Sequence, residues 1–276
     1  MDMITSQGMS MPKLGLGTFR MQGEACERAV TAALAMGYRH IDTAQMYANE
    51  DAVGRAIARS GVPRSTLHVT TKVWWTNLAP DAMRRAMDDS LRLLGLDYVD
   101  LYLIHWPAPD MNLGQAIDTL VSFRDAGLAK AIGVANFPSA MLRAALATGA
   151  PIATDQVEYH VGLDQTAILD VVRAHGISLT AYCPLAQGRL AEHPVLTEIA
   201  RKHAATAAQV ALRWLLDQDG VAAIPKSSRA DGQRANLEAL RIVLDGSDRA
   251  AIAKLPKDQR CVNPAFAPQW DRSAAS

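Results

Sequence analysis

Short apolar runs alternate with longer amphipathic stretches along this whole chain, eight times over. The runs are LGLGTF at 14–19, YRHID at 38–42, LHVTTKVW at 67–74, YVDLYLIH at 98–105, AKAIGVAN at 129–136, PIATDQVEY at 151–159, ISLTAYCPL at 177–185 and VAAIPKS at 221–227. Each reads as a β-strand. The stretches between them read as helices. The one over 80–95 has Pro80 in its first turn and Gly95 just past its end, and the first two stop at Gly37 and Gly61. Strict alternation implies a parallel sheet, because parallel neighbours need a crossover. Eight units in about 250 residues, with no linker, repeat or low-complexity segment, predict an α/β fold of the (β/α)8 TIM-barrel type. One domain is expected over 1–276. An excursion after the seventh strand carries the helical pieces VLTEIARKH and AAQVALRWLLDQ, and the last helix is placed around 233–240. The end of the chain, 256–276, holds Cys261, Pro264, Phe266, Pro268 and Trp270, too apolar for a free tail, and is expected to pack near the barrel mouth.

In such a barrel the chemistry sits at the C-terminal ends of the strands, where the loops surround one mouth. Polar residues stand at those ends here. The second strand ends at Asp42, with Tyr47 just beyond it, the third carries Lys72 and the fourth ends at His105. Asn136 ends the fifth, Gln156 and Glu158 the sixth, Tyr182 lies on the seventh and Lys226 on the eighth. A single Asp or Lys at a strand end is commonly a cap or a solvated side chain. Four chemically complementary groups at consecutive ends suggest a site that moves protons onto and off an oxygen. Buried charges need partners, and Asp42 and Lys72 can pair across neighbouring strands. An ammonium beside a phenol favours phenolate, so Lys72 is expected to lower the Tyr47 pKa. Trp74 and Trp106 directly follow the third and fourth strands and are expected at the mouth.

Other chemistries lack their parts. Lys plus Arg balance Asp plus Glu, 28 against 28, and no basic block stands out, which argues against nucleic acid or a membrane as partner. No apolar run approaches a bilayer span. The start, MDMITSQGMSMPK, lacks the basic and apolar regions of a secretory signal. Three scattered thiols, Cys26, Cys183 and Cys261, fit a reducing cytoplasm. The seven histidines show no metal-ligand spacing, so no metal is expected. GLGTFR at 15–20 has Arg20 where a dinucleotide-binding GxGxxG needs its third glycine. A Schiff-base lyase could use Lys72, but would leave Tyr47 and Asp42 without a purpose.

On these motifs the chain resembles the aldo-keto reductases over almost its full length. GYRHIDTAQMYANE at 37–50, TTKVW at 70–74, LIHWP at 103–107, GVANF at 133–137, YCPLAQG at 182–188 and IPKSS at 224–228 stand in the family's order. The ending VNPAFAPQWD is similar to the bacterial 2,5-diketo-D-gluconate reductases, particularly the smaller type linked to methylglyoxal reduction. The resemblance implies an NADPH-dependent reductase of aldehydes, α-dicarbonyls or keto-sugars. Tyr47 would be the general acid, Lys72 and Asp42 its tuning pair, and His105 the donor that orients the carbonyl. It also implies a cofactor site made of Thr18, Asn136, Gln156, Tyr182, Leu185, Gln187, Gly188, Lys226, Ser227, Arg229 and Asn236. Phe19, Met46, Trp74, Trp106 and His105 would line the substrate pocket, and Arg20 would attract acidic keto-sugars. Three positions depart from the family pattern. Ala135 replaces a usual serine beside the carboxamide, Gly232 replaces a second arginine near the 2′-phosphate, and Phe19 replaces a frequent tryptophan. The partner implied is a small carbonyl compound, and no exposed apolar stripe calls for a dimer. A cofactor-binding, redox-sensing regulatory subunit is the alternative from another class; the full tetrad argues against it.

Overall fold

The computed structural model describes residues 2–272. It opens with a hairpin that the run pattern did not disclose, β1 (Met3–Ser6) against β2 (Met9–Pro12), antiparallel. Gln7 and Gly8 both take positive φ, 47° and 80°, the twist that a two-residue hairpin turn requires. The barrel strands follow as β3 (Leu16–Gly17), β4 (His40–Asp42), β5 (His68–Val73), β6 (Val99–Ile104), β7 (Ala129–Ala135), β8 (Ile152–Glu158), β9 (Ser178–Tyr182) and β10 (Val221–Ala223). They form one parallel sheet in sequential order. Parallel bridges from Leu14 to Ala223 and from Gly17 to Lys226 bring its two edges together. A Cβ on Gly17 would stand 2.7 Å from the Ile224 carbonyl oxygen, so glycine is what permits that approach. The strand expected over 14–19 thus shrinks to two residues of regular ladder at the seam.

Helices α1 (Gly23–Ala35), α2 (Glu50–Arg59), α3 (Pro80–Leu94), α4 (Leu113–Asp125), α5 (Ser139–Ala147) and α6 (Thr166–Ala174) each follow a strand. The excursion after β9 supplies α7 (Pro194–Lys202) and α8 (Ala207–Leu216), and α9 (Ala230–Glu238) follows β10. One more helix, α10 (Gly246–Ala253), lies beyond the last one expected. Its start signal is a capping box, in which Asp245 accepts from the Asp248 N–H at 3.0 Å and Asp248 accepts from the Asp245 N–H at 3.0 Å.

The hairpin plugs the floor of the barrel. Ile4, Met9 and Met11 pack with Leu101, Leu103, Ala131, Ala135, Ala153 and Ala222, where four alanines leave room for the methionines. The Ser6 hydroxyl donates to the Ala153 carbonyl near the start of β8, 2.6 Å away. The C-terminal strand ends are left to form the mouth.

One buried carboxyl fits poorly. On β8, Thr154 bonds Thr180 at 3.1 Å and Gln156 reaches across to Asp42, so alternation sends Asp155 to the opposite face. Asp155 is fully buried, and neither carboxyl oxygen has a hydrogen-bond partner among the described residues. Burial holds its pKa well above the usual carboxylate range; the nearby Phe137 N–H opposes this and Asp271 adds to it. A carboxyl raised in this way contributes its full stability below its unfolded pKa, about 3.8, and loses it as pH rises. Asp155→Asn cannot ionise and is therefore expected to be more stable than wild type at pH 7, by about 1–3 kcal/mol. The gain should shrink as pH falls toward 4. Urea titrations at both pH values check this, and equal stability at pH 7 would sink it.

Candidate active site

The parallel strands put Asp42, Lys72, His105, Asn136, Gln156, Glu158 and Tyr182 at one end of the barrel. Asp42 ends β4, Lys72 is the penultimate residue of β5, and His105 follows β6 directly. Tyr47 sits in a short 3₁₀ turn, Gln45–Tyr47, just after β4. Asn49 anchors this loop. It accepts from the Thr43 hydroxyl at 2.7 Å and donates to the Thr18 and Met21 carbonyls at 3.0 and 2.9 Å.

Lys72 is fully buried. Its Nζ donates to Asp42 Oδ1 at 2.6 Å and to the Thr43 carbonyl at 2.8 Å. Gln156 Nε2, 114 residues away in sequence, donates to Asp42 Oδ2 at 2.8 Å. Thr18 is buried as well, its hydroxyl donating to the Asp42 carbonyl at 2.9 Å. The ammonium lies 5.2 Å from the Tyr47 ring centroid, and the Tyr47 and His105 rings meet edge-on at 5.5 Å.

The electrostatics correct one expectation. The net Tyr47 pKa is not lowered, although the Lys72 ammonium 5.2 Å from the ring favours phenolate. Burial raises it well above the ordinary phenol value, and the Asp42 carboxylate adds to the rise. Burial dominates, and the Asp42 carboxylate that holds Lys72 offsets much of the ammonium's pull on the phenol. Burial also lowers the Lys72 pKa, against the pull of Asp42. Burial, and secondarily the Lys72 charge, hold His105 well below its ordinary value. At neutral pH the mouth therefore presents a protonated phenol and a neutral imidazole. A sealed, paired Lys72 amine is poorly placed to form an imine.

Aromatic residues wall the mouth. Phe19 and Met46 are exposed, and the Phe19 ring lies 5.0 Å from Tyr47. Arg20 stands over Phe19 at 5.2 Å, on the exposed side. Trp74 meets His105 at 5.2 Å and Phe266 at 5.5 Å; Trp106 meets Phe266 at 5.5 Å and Trp270 at 5.9 Å. The C-terminal segment therefore lies against the residues that follow β5 and β6.

The surfaces suited to a dinucleotide run from β7 to α9. Asn136, at φ 63°, donates from Nδ2 to the His105 carbonyl at 2.9 Å and accepts from the Tyr182 hydroxyl at 2.7 Å. Gln156 Oε1 accepts no hydrogen bond among the described residues. After β9, Cys183, Ala186, Gln187 and Gly188 all take positive φ, 48°, 46°, 56° and 90°. So dense a run of left-handed backbone is strained and is characteristic of ligand-holding loops. At the far end Lys226 and Arg229 are exposed, and Asn236 is buried on α9. Arg229 Nε is 3.3 Å from Asp231 with 79% of its side chain exposed, a pairing weak enough to exchange. A Cβ on Gly232 would stand 2.5 Å from Ser227 Oγ, so a side chain there would require the Ser227 hydroxyl to turn away.

The aldo/keto reductase family profile matches residues 13–257. The chain belongs to the aldo/keto reductase family. It is 42% identical over 268 residues to methylglyoxal reductase DkgB of Salmonella typhimurium, covering 95% of this chain and all of that one. An aldo-keto reductase of Mycolicibacterium smegmatis is 44% identical over 259 residues, 92% of this chain and 93% of the other. Among solved structures, one provisionally named 2,5-diketo-D-gluconic acid reductase B superposes with a TM-score of 0.96 at 44% identity, covering 99% of this chain and 98% of that one.

Sequence reasoning named Glu158 and Cys261 at this aldo/keto reductase's mouth but passed over Trp75 and the contacts these residues make. Trp75 stacks on Phe266 at 5.1 Å, a contact no strand pattern reports. Glu158, His160 and Cys261 bring three potential metal-ligand atoms within 4.8 Å of one another. Their hydrogen bonds oppose metal binding. The Gly162 N–H donates to His160 Nδ1 at 3.2 Å, which leaves the ring proton on Nε2, pointing to Glu158 Oε1 at 3.0 Å. A nitrogen that carries a proton has no lone pair for a metal.

Proposed function

We propose that this chain reduces small carbonyl compounds to alcohols with NADPH, Tyr47 delivering the proton to the carbonyl oxygen. The observation that carries this reading is the convergence of the protonated Tyr47 phenol and the neutral His105 imidazole above the buried Lys72–Asp42 pair. NADPH, when bound, supplies the hydride. His105 donates a hydrogen bond that orients the carbonyl oxygen. Tyr47 gives up its proton as negative charge builds on that oxygen, and the Lys72 ammonium beneath the ring stabilises the phenolate left behind. The ammonium thus favours the developing phenolate, while burial keeps the resting phenol protonated. Asn136 and Gln156 are suited to a carboxamide, Tyr182 to stacking on a nicotinamide ring, and 185–188 to a pyrophosphate. Ala135 offers no hydroxyl to the carboxamide, a loss of about 1 kcal/mol of binding. The three free thiols fit work in a reducing cytoplasm. Among the described residues no helix is long and apolar enough to cross a membrane.

The relatives' names point to small dicarbonyls and keto-sugars, and the aromatic walls suit a site that grips the carbonyl and tolerates varied remainders. A screen of NADPH oxidation against aldehydes, α-dicarbonyls, neutral keto-sugars and acidic keto-sugars tests the function. Turnover of none of them would overturn it.

Lys226 and Arg229 are the cations available to a 2′-phosphate, and Gly232 adds none. NADPH is therefore expected to be preferred over NADH, though not strictly. Arg229→Ala should weaken NADPH about tenfold and leave NADH within twofold, the loss of one charge-assisted contact. Titration of cofactor fluorescence reads both, and equal weakening would remove Arg229 from the 2′-phosphate.

A further inference from the structure

Glu158 closes β8 and is fully buried, yet it touches none of the groups assigned to proton transfer. Its carboxylate accepts from three N–H donors. Oε1 accepts from the Cys261 backbone N–H at 2.6 Å and from His160 Nε2 at 3.0 Å; Oε2 accepts from the Val262 N–H at 2.8 Å. Burial opposes the charge, but these donors prevail and hold the carboxyl below its usual range. Ten residues beyond Cys261, Asp271 forms a second anchor. Its oxygens accept from the Ser139 N–H and hydroxyl, both at 2.8 Å, at the start of α5. The segment is also stiffened by its own contacts, Arg260 over the Trp270 ring at 3.8 Å and Trp270 Nε1 donating to Asn263 at 2.9 Å. From the middle of this span Phe266 projects against Trp74, Trp75 and Trp106 at 5.1–5.5 Å.

We propose that Glu158 is a positioning residue for substrate binding. With Asp271 it clamps the C-terminal segment so that Phe266 completes the aromatic wall of the mouth. How tightly the mouth holds its substrate is then set by a carboxylate that contacts neither substrate nor cofactor. The inference rests on the reductase reading, because substrate must bind among Trp74, Trp106 and Phe266.

Glu158→Gln probes the clamp at nearly constant volume. An amide must turn its NH2 toward one of the three donors, so at least one bond is replaced by a donor–donor contact. We expect KM for a carbonyl substrate to rise about tenfold while kcat stays within about threefold and NADPH affinity is unchanged. In a Phe266→Ala background the same substitution should change KM by less than about twofold, since the wall it positions is gone. Asp271→Asn, at the other anchor and near the surface, should follow the same pattern, and carries the test if Glu158→Gln does not fold. An unmoved KM in both variants, or an undiminished effect in the Phe266→Ala background, overturns the proposal. Hydrogen exchange at the Cys261 and Val262 amides reads the clamp without turnover. Faster exchange in Glu158→Gln supports it even if the wild type reduces no carbonyl compound, and unchanged exchange overturns it. Failure of the clamp is thereby distinguishable from failure of the reductase reading.

Discussion

Tyr47→Phe is expected to cut turnover about a hundredfold or more, the usual size of a positioned acid's contribution. The ring contacts with Phe19 and His105 survive the change, and only the hydroxyl is lost. NADPH affinity should stay within about twofold, so the effect should appear in kcat. The raised Tyr47 pKa adds a pH signature. The phenol stays protonated through neutral and moderately alkaline pH, so Tyr47 should cause no loss of reduction between pH 6 and 9. The proton would be lost only well above the ordinary phenol value, about 10. Single-turnover kinetics of the variant beside wild type would decide; a rate within a few-fold of wild type would take Tyr47 out of the role.

Lys72→Met should damage both stability and chemistry. It leaves the Asp42 carboxylate buried without its ammonium, and breaking one side of a buried ion pair costs about 3–5 kcal/mol. For a domain of this size that corresponds to a melting point lower by about 10 °C. The Gln156 amide still donates to Asp42 Oδ2, which places the loss nearer the lower end of the range. Adding Asp42→Asn should restore part of the stability without restoring activity, because the double variant removes the orphaned charge but not the need for a cation under the phenol. In the oxidation direction, where Tyr47 must accept a proton as phenolate, the pH profile of residual activity should move upward, as Asp42 acts on the phenol unopposed. Calorimetry and pH-rate profiles of the two variants test this. An unshifted profile with full activity would leave Lys72 purely structural.

The alternation of runs and helices made the barrel legible, and it placed Asp42, Lys72 and His105 at strand ends to within a residue. That works because parallel strands and crossover helices leave strong local signals and because strand ends share one face. The floor hairpin was harder to see. Its strands, MITS and MSMP, are short and carry polar residues, although the Gln7–Gly8 step is a recognisable turn signal. Helix α10 was not foreseen, although the Asp245–Asp248 box is a local start signal. No local pattern could show Trp75 against Phe266, or Glu158 holding the Cys261 and Val262 amides, since those partners lie more than a hundred residues apart in sequence.

The sequence by itself determined which chemical groups are available and at which end of the barrel they stand, because hydrophobic period and glycine or proline breaks are local properties. Tertiary structure alone decided how those groups behave. The Tyr47 pKa has the opposite sign to the one expected from residue types, because burial and pair formation depend on distances that only the closed barrel sets. The same is true of Asp42, held between Lys72 and Gln156, and of the tail, fixed by carboxylates on β8 and at its own end. Charge effects and contacts act through space, and the chain's order does not record which residues meet there.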